Sequence, residues 1–115
     1  MFTRSAPNYE SLTLTTAQVT CFFWFESIEV LKAGESFRAN PNTRVQRLCR
    51  EAIPQPTFTK WVHNILNTTQ VTRNVILLAL LFIYRLKTLN PAVRGRPGSE
   101  YRLLTVALML GNKCE

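Results

Sequence analysis

The chain has 115 residues, a formal net charge of +7, 46% apolar and 10% aromatic content, and 18% charged residues. At about 100–200 residues per domain this is one small domain at most, or part of one, and its apolar content excludes a disordered chain. All the acids are glutamate, and one histidine with three cysteines supplies no nucleophile, base and orienting group for catalysis, so a non-enzyme is expected.

Residues 1–16 are polar, with Pro7, Asn8 and several Ser and Thr, and read as a flexible tail. A helical period takes over at Ala17 and predicts an aromatic helix over 17–34. Val19, Phe22, Phe23 and Val30 recur at helical intervals, as do Cys21, Trp24, Phe25, Ile28 and Leu31. Thr15 or Thr16 serves as its N-cap and Gly34 as its stop. The run Phe22-Phe23-Trp24-Phe25 spans nearly a full turn, so its rings are either clamped between two surfaces or offer one face to a partner. Residues 35–55 read as a linker. Asn40-Pro41-Asn42 and Ile53-Pro54-Gln55-Pro56 are turn and extended signals on either side of a basic segment, Arg44 to Glu51, long enough for a short helix.

Three helices are predicted after Pro56. The first runs from Thr57, its cap, to Leu66, with Phe58, Trp61, Val62, Ile65 and Leu66 as the apolar stripe. The second starts near Thr69 or Thr72, ends at Lys87 and is apolar nearly all round from Val75 to Ile83. That apolar run is nine residues, against the roughly 20 a membrane span needs. Pro91, Gly95, Pro97 and Gly98 break the chain. The third helix opens at Ser99, an N-cap, with Glu100 in its first turn and Leu103, Leu104, Val106, Ala107, Leu108, Met109 and Leu110 along it. Helices apolar on every side require neighbours on every side, so a central helix wrapped by others is expected.

Ten of the fourteen basic residues are arginine. They are scattered, with the densest groups at Arg44, Arg47 and Arg50 and at Arg94, Arg96 and Arg102, and no nucleic-acid motif accompanies them. Cys21, Cys49 and Cys114 form no C-x-x-C pair and His63 stands alone, so no metal or cofactor is expected. Reduced thiols and the lack of a signal segment point to an intracellular protein of nucleus or cytoplasm.

The stretch Val75-Ile-Leu-Leu-Ala-Leu-Leu-Phe-Ile-Tyr-Arg-Leu86, the Pro/Gly loop, and Tyr101-Arg-Leu-Leu-Thr-Val-Ala-Leu-Met-Leu-Gly-Asn-Lys113 resemble the N-terminal part of a cyclin box. The resemblance covers roughly Pro54 to Lys113 and is nearest in character to fungal cyclins that partner the phosphate-response cyclin-dependent kinase. Phe82-Ile83-Tyr84-Arg85 matches the turn that ends the second cyclin helix, and Gly111-Asn112-Lys113-Cys114-Glu115 partly matches the end of the third. The chain departs from the pattern at Cys114, where a phenylalanine is usual, and at Gln55 and Tyr84, where an arginine and an aspartate usually pair. It stops one residue later and reads as truncated, lacking the fourth and fifth helices.

The resemblance implies an all-α fold, a partial cyclin-box bundle of three helices over 56–115 preceded by the aromatic helix. It implies a regulatory, non-enzymatic subunit that binds a cyclin-dependent protein kinase and activates or targets it, without a small-molecule substrate or a membrane. Lys113 would donate to backbone carbonyls beside the kinase's regulatory helix, with Leu110 and Cys114 supplying apolar contact. Phe58 and Trp61 would form a docking patch, and Phe22, Phe23, Trp24 and Phe25 are further partner-facing candidates. Two alternatives remain: a transcription adaptor contacting nucleic acid through Arg94, Arg96 and Arg102, and an inactive fragment.

Overall fold

The computed structural model describes residues 9–31, 52–93 and 95–114. Among the described residues four long helices make the fold: α1 (Tyr9–Phe25), α2 (Pro56–Thr69), α3 (Arg73–Leu89) and α4 (Ser99–Cys114). A further helical turn spans 28–31, and among the described residues there is no strand. The expected all-α class is observed. Gly34, the Asn40–Asn42 turn, the Arg44–Glu51 segment, Cys49 and Arg94 lie outside the described residues.

The first helix differs most from the sequence reading. It begins at Tyr9 and not at Ala17, so half of the expected flexible tail is helical. Its buried face is Thr13, Thr16, Ala17, Thr20 and Cys21, a stripe at intervals of three and four. Threonine is counted as polar, so the period is invisible to a hydrophobicity pattern, yet its methyl group packs and its small volume lets a neighbouring helix approach. Thr15 and Thr16, expected as caps, lie within the helix. The helix also ends early, at Phe25 instead of Gly34. Ser27 Oγ accepts from the Val30 amide at 3.4 Å and opens the separate turn at 28–31.

The later helices fall close to expectation. α2 starts at Pro56, whose fixed φ and missing N–H suit the first helical position; Gln55, and not Thr57, precedes it as the N-cap residue. It stops at Gln70, which adopts the left-handed conformation (φ 53°) and donates its amide to Leu66 O at 3.0 Å. Thr72 caps α3 by accepting from the Val75 amide at 3.2 Å. α4 opens at Ser99 with Glu100 in its first turn, where the helix dipole favours a carboxylate.

α3 and α4 pack antiparallel. A Cβ built on Gly111 near the end of α4 would lie 2.9 Å from Val75 O and 3.5 Å from Leu78 Cβ near the start of α3. Only glycine permits that approach. α4 buries a single face, Leu104, Ala107, Leu108 and Gly111, while Val106, Met109 and Leu110 are exposed. α1 is the helix in contact with each of the other three, through its one buried stripe, while Leu14, Thr15 and Gln18 are exposed. It joins Phe58, Val62 and Leu66 of α2, Val75, Ala79 and Ile83 of α3, and Leu104 and Leu108 of α4 in one core around Ala17 and Cys21.

Candidate functional site

The end of α1, the start of α2, the end of α3 and the start of α4 meet at one end of the bundle. There a cavity of about 450 Å³ is lined by Cys21 and Phe25 of α1, Phe58 at the start of α2, and Gly98, Glu100 and Tyr101 at the start of α4. Its wall is built on a cluster of rings. Phe58 stacks on Trp61 at 5.8 Å, and Tyr101 meets both edge-on, at 5.1 and 5.0 Å. Burial pushes the Cys21 thiol up to about 12, with the Glu100 carboxylate adding to the effect. Cys21 is thus a protonated, unreactive thiol at neutral pH. Burial also raises the Glu100 carboxyl above its ordinary value, opposed by hydrogen bonds from the backbone amides of Glu100 and Gly98.

Beside this cavity α1 is tied to the loop between α3 and α4. Lys87 is 1% exposed, and its Nζ donates to Trp24 O at 3.1 Å and to Val93 O at 2.9 Å. Trp24 O is one of the carbonyls that a helix leaves without an internal partner at its C-terminus, and a buried ammonium with three donors satisfies it. The Trp24 indole N–H in turn donates to Ser99 Oγ at 2.8 Å, and Ser99 Oγ donates to Arg96 O at 2.6 Å. Gly95 lies so close to the Trp24 ring that a Cβ there would overlap it. On the other side of α1 the Asn67 amide donates to His63 Nε2 at 2.9 Å, leaving Nδ1 protonated to donate to Thr13 Oγ1 at 3.3 Å.

The residues singled out in the sequence separate into three groups. Leu110, Lys113 and Cys114 are brought together on the exposed end of α4, Leu110 and Cys114 one turn apart and Lys113 beside them. Phe58 is 2% exposed and is a core residue; it is not available as part of a docking patch. Trp61 is half-buried, its ring held against Phe58 and Tyr101. The four aromatic residues of α1 are all partly buried and point to different neighbours. Phe22 lines a second cavity of about 330 Å³ with Val19, Ala52 and Pro54. Phe23 packs on Tyr84 of α3 at 5.1 Å, Trp24 reaches Ser99, and Phe25 lines the larger cavity.

Lys87, Tyr101 and Ser99 escaped the sequence reading. Lys87 continues the buried row Ile76, Leu80, Ile83 along α3, and Tyr101 precedes Leu104 and Leu108 on the inner face of α4, so helical spacing was a usable signal for both. Ser99 was seen only as a cap, and its tie to Trp24 across 75 positions has no local signature.

Exposed apolar side chains are concentrated on α3 and α4: Leu77, Leu81, Leu86 and Leu89 on the first, Val106, Met109 and Leu110 on the second. Among the described residues no helix is long and apolar enough to cross a membrane, and no three His, Cys, Asp or Glu converge on a metal position. Cys21 and Cys114 are free thiols, one buried and one exposed. No family model matches the chain, and neither a curated protein nor a solved structure matches it.

Proposed function

We propose that this chain is a non-catalytic binding module that docks through the exposed surface of α3 and α4 on a cyclin-dependent protein kinase and regulates it. The observation that carries the reading is the surface at the end of α4. Val106, Leu110 and Cys114 recur every fourth residue, so they share one strip of the helix, and all three are exposed with Lys113 alongside. Covering a large aliphatic side chain is worth about 1.5–3 kcal/mol. Met109 at 62% and Leu110 at 46% exposure, with Val106 at 49%, therefore offer several kcal/mol to a partner. Micromolar affinity corresponds to about 8 kcal/mol. The kinase, as opposed to any other protein partner, rests on the resemblance over Pro54–Lys113.

Lys113 then donates to carbonyls at the end of a kinase helix, as Lys87 does within this chain for α1. Co-precipitation with a cyclin-dependent kinase tests the assignment. Lys113→Glu and Leu110→Asp should each reduce kinase recovery at least about tenfold, the effect of losing one charge-assisted hydrogen bond or one buried aliphatic side chain. Lys60→Glu, an equal charge change on the exposed side of α2, should leave recovery unchanged. Equal recovery from all four proteins refutes the site.

A further inference from the structure

Arg94-Gly95-Arg96-Pro97-Gly98-Ser99 places arginines three and five residues before a serine that opens a helix. Protein kinases of the basophilic class select serine and threonine by pairing such guanidinium groups with carboxylates in their peptide cleft, a charge pattern that sets specificity more than affinity. Arginine three residues before a hydroxyl occurs twice more in the described chain, at Arg85/Thr88 and Arg102/Thr105. Those two hydroxyls sit within helices, where Thr88 Oγ1 donates to Arg85 O at 3.0 Å and Thr105 Oγ1 to Tyr101 O at 2.8 Å. A kinase cleft takes its peptide extended, and unwinding the middle of α4 or the last turns of α3 would expose core residues. The approach to Ser99 is different. Arg96, Pro97 and Gly98 are exposed and non-helical, and Ser99 is the first residue of its helix, where local opening is least costly.

We infer that Ser99 is a phosphorylation site for a basophilic serine/threonine kinase, with Arg96 as its recognition residue. Ser99 Oγ attacks the γ-phosphorus of Mg-ATP. The Oγ–P bond forms as the bond to the β-phosphate oxygen breaks, ADP leaves, and the hydroxyl proton passes to the kinase's catalytic carboxylate. The product is received by groups already in place. Ser99 Oγ lies 2.8 Å from the Trp24 indole N–H, which can donate to a phosphate oxygen in its stead. The Ser99 amide donates to Arg96 O at 3.0 Å and the Glu100 amide to its own carboxylate, so what the start of α4 offers the phosphate is the positive end of its dipole. Arg102, one turn on, and Arg96 supply guanidinium groups. One bond is lost, since an ester oxygen can no longer donate to Arg96 O. The modification therefore acts on the junction that holds α1 to α4, and Trp24 reports it.

The folded full-length chain is incubated with Mg-ATP and a purified kinase that requires arginine three residues before its serine, and the modified residue is located by mass spectrometry. Phosphate is expected on Ser99. Arg96→Ala should slow incorporation at least about tenfold, and Ser99→Ala should abolish it at that position. In Trp61→Phe, where Trp24 is the remaining tryptophan, phosphorylation should shift the emission maximum. Four results overturn the inference: phosphate on Thr88 or Thr105 with Ser99 unmodified, Ser99 modified only after unfolding in urea, a rate unchanged by Arg96→Ala, or an unchanged Trp24 emission in the phosphorylated protein.

Discussion

Thr13, Thr16 and Thr20 lie on one buried stripe of α1 but in different hydrogen-bonding situations, so the same substitution should act with opposite signs along the stripe. Among the described residues the buried hydroxyls of Thr16 and Thr20 have no hydrogen-bond partner, whereas that of Thr13 accepts from His63 Nδ1. Valine keeps the β-branched shape and replaces the hydroxyl by a methyl group, and its helix propensity is close to that of threonine. A buried hydroxyl without a partner costs about 1–3 kcal/mol. Thr16→Val and Thr20→Val should therefore each stabilise the fold by about 1 kcal/mol or more, read as a rise in Tm of about 4 °C or more for a domain of this size. Thr13→Val removes a hydrogen bond and leaves the imidazole N–H unpaired, a loss of about 0.5–1.5 kcal/mol. Urea unfolding followed by far-UV circular dichroism gives all three values from one series. Destabilisation by both Thr16→Val and Thr20→Val would show that these hydroxyls are satisfied and that the stripe is held by polar contacts, refuting the reasoning.

Three further outcomes follow from the packing. Lys87→Met leaves the carbonyls of Trp24 and Val93 without their ammonium donor and should destabilise by about 2–4 kcal/mol, measurable as a lower urea midpoint. Gly111→Ala adds a methyl group 2.9 Å from Val75 O, backbone that cannot rotate away; strain of about 1–3 kcal/mol outweighs the helix-propensity gain of about 0.5–1 kcal/mol, so Tm should fall. The Glu100 carboxyl is raised in the folded chain, so the fold holds its proton more tightly than the unfolded chain does. Stability is then lost as pH rises from the ordinary glutamate value through the raised one. Glu100→Gln should raise Tm at pH 7, with the gain vanishing in acid below the ordinary value.

Helices α2, α3 and α4 were legible because their signals are local: an apolar stripe over Phe58–Leu66, a start signal at Thr69 or Thr72, and a Pro/Gly break before Ser99. α1 was half missed because its buried face is threonine, alanine and cysteine, and a residue's polarity does not reveal that its small volume is the useful property. The candidate site divides along the same line. That Leu110, Lys113 and Cys114 share one end of a helix follows from spacing alone. That Phe58 is sealed beneath Trp61 and Tyr101 follows from where α4 crosses α2, which no interval within α2 encodes.

The sequence by itself determined the all-helical character of the described residues, three of the helices to within a few residues of their ends, and a poor inventory for catalysis, because helix periodicity, caps and breakers act within a few residues of one another. Only the tertiary structure decided which helix touches all the others, that Lys87 is buried to hold the end of α1, and that Trp24 and Ser99 meet. Those outcomes depend on volume and on polar pairings across 63 and 75 positions, one of a helix-end carbonyl and one between two side chains, where the physical constraint is set by the assembled helices.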